Sequence, residues 1–369
     1  MKRVLLVGAG HAHMVLLARA ESFRSADIGV TLIAPGNFWY GGSVAALLAG
    51  RAPRDRRRIR LSPWCGNRGI DLQVGRVVGL NTDARRVGLA NGAMLDYDAV
   101  SINVGFCHVE PAAPDRTGLE PSVWDGASAA SLERLRSVLA TDCARGARPR
   151  IAIAGGDTLA AEVAAGLAGA DVAGSCRLSL YTDAHRLVPG APRGAAQRLA
   201  RELSRRGVDI VFNTAIERLY ERAVISGDGR RFPADHVVMG HRVAGKPLIH
   251  ATGLPASDDG LQVDTRLCSP LDSRVFASGG CAYLMNHGPL WSGDSERQAA
   301  TLAHNLSAVL TGKTPQHYRC ARRPCLIDFA DGTGIGWAGP LWWHGPVTAR
   351  AHNRRRERFR RRLQAQPAS

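Results

Sequence analysis

The sequence predicts an α/β fold: two dinucleotide-binding βαβ domains, the second inserted into the first, followed by a small C-terminal region. Three observations carry this. The apolar run Val4-Leu5-Leu6-Val7 breaks at Gly8-Ala9-Gly10, enters the helical pattern Met14-Val15-Leu16-Leu17-Ala18 and is followed by a second strand at residues 30–33. The same order returns at residues 150–154, with the turn Gly155-Gly156-Asp157 and a helix through Leu167. Between them, Asp98-Ala99-Val100-Ser101-Ile102-Asn103-Val104-Gly105 reads as a buried parallel strand, because its apolar residues run on without alternating.

In the first turn, Gly8 permits the sharp bend and Gly10 removes a Cβ that would block a pyrophosphate. The helix start at His11, Ala12 and His13 offers unpaired N–H groups to phosphate oxygens. His13 stands where such a Rossmann-like turn has its third glycine. A Gly-rich aromatic turn follows, Phe38-Trp39-Tyr40-Gly41-Gly42-Ser43, then a short helix over 44–50 and a basic segment over 51–60. Short β-patterned stretches at 72–78, 86–89 and 95–105, with the turn Asn91-Gly92, predict hairpin strands leading into the buried strand. Residues 110–121 read as a linker. The second cycle comprises a helix at 128–140, strands at 150–154, 178–181 and 208–212, and a helix at 194–206, with the chain returning to the first domain near Val237-Val238-Met239-Gly240. The expected domains are 1–110 with 241–330, and 111–240; residues 331–369 form the C-terminal region with its basic tail.

A chain of 369 residues with 45% hydrophobic residues and 41 glycines has room for two or three domains. The N-terminal apolar run is too short for a signal peptide or a membrane span, which points to the cytoplasm. Eight cysteines without a paired framework read as reduced thiols. Of the net charge of +16, residues 51–60 supply +5 and residues 350–362 supply +7, so the rest of the chain is nearly neutral. Arginine outnumbers lysine 45 to 3, a bias that GC-rich coding explains as well as an anionic membrane surface does; nucleic acid is not an expected partner. His11 and His13, two apart on a helix start, point in divergent directions. They read as packing beside the pyrophosphate and hydrogen-bonding to it, not as a metal site.

These motifs, together with Leu32-Ile33-Ala34-Pro35, Val275-Phe276-Ala277-Ser278-Gly279-Gly280-Cys281-Ala282 and the helix opening Arg297-Gln298-Ala299-Ala300, resemble the flavoproteins of the pyridine nucleotide-disulfide oxidoreductase superfamily. Type-II NADH dehydrogenase-like proteins and the flavoprotein module fused to selenide, water dikinase are the nearest in pattern. The resemblance implies FAD, held by Gly8, Gly10, His11, Ala12, His13, Ala34, Pro35, Tyr40, Val77, Val104, Gly105, Gly279, Gly280, Cys281, Arg297 and Gln298. It implies an oxidoreductase passing electrons between NAD(P)H or another donor and a quinone or small-molecule acceptor, with no catalytic acid or base named. The helix carrying Arg297 and Gln298 would point its N-terminus at the isoalloxazine and favour an anionic reduced flavin.

Three departures from the pattern stand out. Ala34 replaces the acid that binds the adenosine ribose, and Gly280 replaces the usual aspartate. In the second turn Asp157 stands where bare backbone meets a pyrophosphate, and Thr182 replaces that domain's ribose acid, with Asp183 one residue late. NAD(P)H is therefore expected to bind poorly or not at all, with Glu162 near the nicotinamide if it does bind. A degenerate partner or scaffold protein, with or without flavin, is the competing reading. Cys320 and Cys325 have a redox C-x4-C spacing but lie far from the first turn; Cys65, Cys107 and Cys281 are candidates to lie near the flavin. Trp39, Tyr40, Trp337, Trp342 and Trp343 form either a quinone pocket or ordinary core. For residues 350–363, whose apolar candidates are Ala351, Phe359 and Leu363, the alternatives are weak peripheral contact with the inner membrane face and a solvated, frayed helix. A homodimer is among the expected assemblies.

Overall fold

Continuous apolar strands that cannot face water on either side must be covered by helices on both, and the chain meets that requirement twice. The computed structural model describes residues 1–19, 23, 26–40, 43–51, 58–108, 110–113, 117–240, 243–245, 247–290, 292–320 and 324–365. Gly41, Gly42, most of the basic segment (52–57), Arg322 and Arg323 lie outside the described residues. The first sheet has five parallel strands in the order Val275–Ala277, Ala99–Ile102, Lys2–Val7, Ile28–Ala34 and Asp71–Val74. Leu6 is in register with Leu32 on one side and Ser101 on the other. The second sheet is also five-stranded and parallel: Ser122–Asp125, His236–Met239, Arg150–Ala154, Arg177–Tyr181 and Val208–Val211. Met239, near which the sequence suggests a return to the first domain, is still paired with Ala154 in the second sheet.

The sequence-predicted α/β class is thus the observed one. Beyond the sheets, Cys325–Asp328, Gly334–Ala338 and Leu341–His344 form a three-stranded antiparallel sheet, and the helix Pro346–Gln364 closes the described chain. That helix is neither frayed nor solvated all round. Thr348, Ala349, Phe359 and Leu363 are buried on one side, and Arg350, Arg354, Arg358 and Arg361 are exposed. With 3.6 residues per turn these four arginines fall on one stripe, so the charge density of the segment masks a narrow inward face.

The backbone of the first Gly-rich turn closely approaches the end of the Ala99–Ile102 strand. Gly8 has φ +90°, in the region that favours glycine. The Gly10 N–H donates to the Asn103 carbonyl (3.0 Å), and the Asn103 N–H donates to the Val7 carbonyl (2.8 Å). A Cβ on Gly10 would lie 1.8 Å from Asn103 Oδ1 and 2.6 Å from the Asn103 carbonyl oxygen. What excludes a side chain at Gly10 is therefore protein, the Asn103 residue, before any ligand enters. Because the main-chain carbonyl cannot swing away, Gly10→Ala is expected to cost about 1–3 kcal/mol of folding stability. Urea denaturation checks this; a loss within 0.5 kcal/mol (about the surface-substitution range) would contradict the contact.

Candidate cofactor site

The C-terminal ends of the parallel strands Lys2–Val7, Ile28–Ala34, Ala99–Ile102 and Val275–Ala277 bring most of the sequence-predicted site residues to one edge of the first sheet. Ala9, Gly10 and His11 are half-buried there, and no side chain caps the helix His11–Leu17. Its first internal bond is Met14 N–H to the Gly10 carbonyl (3.0 Å), which leaves the His11, Ala12 and His13 N–H groups without helical acceptors. Ala34 is buried and Pro35 exposed at the next strand end; Val104 and Gly105 are half-buried at the third. Val77 instead lies buried in the core of the first domain.

His13 is placed otherwise than expected. Its ring is fully buried, with Nδ1 2.7 Å from the Gly8 carbonyl and Nε2 2.8 Å from Ser101 Oγ. Both nitrogens are engaged within the protein, so the side chain braces the turn from behind and does not hydrogen-bond to a phosphate. Burial lowers its pKa to about 4. The His11 ring goes the opposite way, into an aromatic cluster, and burial lowers it to about 4 as well.

The fourth strand end is built around Asn103 and Gln298. Asn103 Nδ2 donates to the Ser278 carbonyl (2.5 Å) and to Ser278 Oγ (3.0 Å). Gln298, wholly buried in the first turn of the helix Ser295–Thr311, accepts the Gly279 N–H on Oε1 (2.8 Å). Arg297, its neighbour, is exposed and lies 3.9 Å from Asp294. The glycine at 280 has a local cause: a Cβ there would come within 2.5 Å of the Phe106 ring. Phe106 thus takes the room an aspartate would need. Cys281 is buried, its Sγ 3.3 Å from the Ser278 carbonyl. Neither Asn103 nor Phe106 is singled out by the sequence, since each acts through a partner more than 100 residues away.

The C-terminal helix crosses this edge. Phe359 stacks on Tyr40 (ring centroids 5.0 Å, planes 13° apart) and lies 5.0 Å from the His11 ring, with Phe38 alongside. Burial pushes the Tyr40 phenol up to about 12, while Arg356, hydrogen-bonded to it, pulls the other way. Trp64 Nε1 donates to the Leu363 carbonyl (2.7 Å); Arg68 donates to the carbonyls of Leu363 and Ala365 and stacks over Trp64 at 4.2 Å. Arg362 pairs with Glu296 at 2.5 Å. Phe359 and Leu363 therefore face protein and are not available to a bilayer.

The second Gly-rich turn differs in kind. Asp157 is the N-cap of the helix Thr158–Ala168, its Oδ1 accepting the N–H groups of Leu159 (2.9 Å) and Ala160 (3.0 Å). The N–H groups that would meet a pyrophosphate are already bonded to a carboxylate. Over the same turn, the Val188 N–H donates to the Gly156 carbonyl (2.6 Å), and a Cβ on Gly156 would meet Thr182 Oγ1 at 2.1 Å. Glu162 faces the C-terminal region: its Oε1 is 4.0 Å from His352 Nε2, whose Nδ1 is 4.0 Å from Asp328 Oδ2.

The aromatic candidates divide. Tyr40 joins the cluster at the sheet edge, and Trp39 packs with the core of the second domain. Trp337 joins that core, Trp343 is half-buried, and Trp342 rests against Gly194. They do not gather into one pocket. Cys65 is buried on the helix Leu61–Gly66, with burial pushing its thiol up to about 11, and burial followed by nearby Glu162 pushes Cys325 up to about 12. Neither is a ready thiolate at neutral pH. The Cys107 side chain lies outside what is described.

Two parallel sheets of the dinucleotide-binding type, one with an open Gly-rich turn at its strand ends, define a protein of the two-dinucleotide-domain class. The chain belongs to the pyridine nucleotide-disulphide oxidoreductase family, which it matches over residues 2–308. It is 27% identical over 289 residues to putidaredoxin reductase of Pseudomonas putida, covering 73% of this chain and 64% of that protein. In three dimensions it resembles the sulfide:quinone oxidoreductase of Aquifex aeolicus (TM-score 0.81, 16% identity, 98% of this chain and 91% of that one). It also resembles a ferredoxin reductase of Rhodopseudomonas palustris (TM-score 0.73, 21% identity, 91% and 82%). Membership of that family implies FAD as the cofactor; the chain spans less than two thirds of the length of the curated relative that it matches. The uncapped helix start and the glycine cradle of residues 8–10 fit the cofactor's phosphates. Among the described residues, no helix is long and apolar enough to cross a membrane.

Burial, with Asp328 nearby, pushes the Glu162 carboxyl up to about 8, and burial holds His352 down at about 4. The folded protein keeps a proton on Glu162 that the unfolded chain has released, so stability falls as pH rises from the ordinary carboxylate range toward 8. His11, His13 and His352 act oppositely: stability rises as pH climbs from about 4 to the ordinary histidine value. The thermal midpoint is therefore expected to peak near about pH 6.5. Glu162→Gln should flatten the decline on the alkaline side; an unchanged slope would show that Glu162 is ionised in the folded state.

Proposed function

We propose that FAD lies along the strand-end edge of the first sheet, its pyrophosphate at Gly8, Gly10 and the His11 and Ala12 N–H groups. Gly105, residues 279–281, and Arg297 and Gln298 in the first turn of the helix Ser295–Thr311 would serve the flavin half. When bound, the flavin supplies the capacity to accept a hydride or single electrons; the chain's part is to orient it, shield it and set its surroundings. The proposed reaction carries electrons from a donor other than NAD(P)H to a quinone or another small acceptor. The observation that carries the choice of donor is the contrast between the two helix starts, one uncapped and one filled by Asp157. A second anion brought to Leu159 and Ala160 would have to displace that carboxylate and face its charge at contact distance. Under this reading Glu162 has no nicotinamide to serve, in keeping with its position under the C-terminal region.

Any contact with an anionic membrane would use the stripe Arg350, Arg354, Arg358 and Arg361, with exposed Leu341 and Val347 at the start of the helix. Such contact is electrostatic and weakens with salt.

The purified protein should be yellow, with one FAD per chain. Under anaerobic conditions its absorbance should bleach with a quinol or sulfide and persist in millimolar NADH or NADPH. Rapid bleaching by either nicotinamide would overturn the choice of donor, and colourless protein that takes up no FAD would overturn the cofactor placement.

A further inference from the structure

Two contacts that usually hold FAD are missing from this chain. Ala34 offers no carboxylate to a ribose, and at 280 the glycine and the Phe106 ring leave no room for one. A hydrogen bond to a charged group contributes about 1.5–3 kcal/mol, so losing even one of them weakens binding about tenfold to a hundredfold. Something else must retain the cofactor proposed above, and the C-terminal helix is laid across that edge against His11 and Tyr40.

We propose that the helix Pro346–Gln364 is a cofactor latch, in which Phe359 closes the cleft at His11 and Tyr40 and Arg356 supplies a cation to the cofactor's phosphates. Phe359 touches the two rings that flank the first turn, one of them on the residue that opens the phosphate-facing helix. Arg356 stands one turn before Phe359 on the same face. It reaches the Tyr40 hydroxyl, and its Nη1 donates to Asn353 Oδ1 (3.2 Å). Its Nε is buried and has no hydrogen-bond partner. A guanidinium N–H held out of water without a partner is costly unless an acceptor meets it; the nearby Glu162 carboxyl, which burial keeps protonated, feels the Arg356 charge but leaves that N–H unmet.

The latch is pinned at its far end by bonds that do not involve the cleft. Trp64 and Arg68 hold the last carbonyls of the helix, and Arg362 ties it to Glu296 at the start of the Ser295–Thr311 helix. At its near end, Thr348 and Ala349 are buried. FAD would thus be kept in place by a cover anchored on both sides, in place of carboxylates on the cofactor's hydroxyls. This inference rests on the FAD placement proposed above, and its failure can be told apart from the failure of that placement.

The test is FAD release and re-uptake by the full chain, followed by flavin fluorescence. Phe359→Ala and Arg356→Met are expected to raise the Kd for FAD roughly tenfold or more and to speed release. Arg356→Met should also flatten the salt dependence of Kd. Trp64→Phe, which removes one anchoring N–H, should speed release by a smaller factor, and Arg354→Met, on the exposed face, should leave both rate and Kd unchanged. Should Phe359→Ala fail to fold, Arg356→Met and Trp64→Phe decide the matter. Release rates within twofold of the parent protein for folded variants would overturn the latch while leaving FAD in place; parent protein that binds no FAD would overturn the placement itself.

Discussion

The cofactor edge depends on one interaction above the others, the clasp of Asn103 around the first Gly-rich turn. Its backbone bonds to Val7 and Gly10 set the spacing between two strand ends, and its side-chain amide bonds to Ser278 set the third. Gly10 has no Cβ because the Asn103 amide and carbonyl lie where one would be. The turn, the helix start and the Gly279–Cys281 segment are consequently tied together through one residue. Preorganisation of this kind lowers the ordering cost of binding a long, flexible dinucleotide.

The two Gly-rich turns began from the same local pattern and reach opposite ends. In the first, the N-cap is Gly10, which has no side chain to accept the helix N–H groups, so the helix start stays open. In the second, Asp157 satisfies the N–H groups itself and the Val188 N–H closes over Gly156. A cap of this type stabilises its helix by about 1 kcal/mol. The N–H groups of the second turn thus serve the stability of their own helix, above a parallel sheet that buries the domain's core.

Much of this was legible in the sequence. Strand–turn–helix order, the continuous apolar strands and the turn glycines are local signals, and the parallel sheets follow from them. Asp157 could be read as an obstacle for the same reason: its effect is exerted within three residues. Other features were hidden because their causes are distant in sequence. His13 was expected at a phosphate, but its two hydrogen bonds turn it inward, and one of those partners, Ser101, is 88 residues away. The sequence leaves the C-terminal segment open between membrane contact and a solvated helix because eight arginines in residues 350–362 obscure Phe359 and Leu363, which are spaced one helical turn apart and meet Tyr40, His11 and Trp64 from far along the chain. Gly280 looked like a lost contact until Phe106 gave it a cause.

The inequality of the two turns is tested most directly by amide hydrogen exchange resolved to single residues. Adding FAD to deflavinated protein should slow exchange at the N–H groups of His11, Ala12 and His13, while NADH should leave Leu159 and Ala160 unchanged at any attainable concentration. Protection of Leu159 and Ala160 by NADH, or no protection of residues 11–13 by FAD, would contradict it.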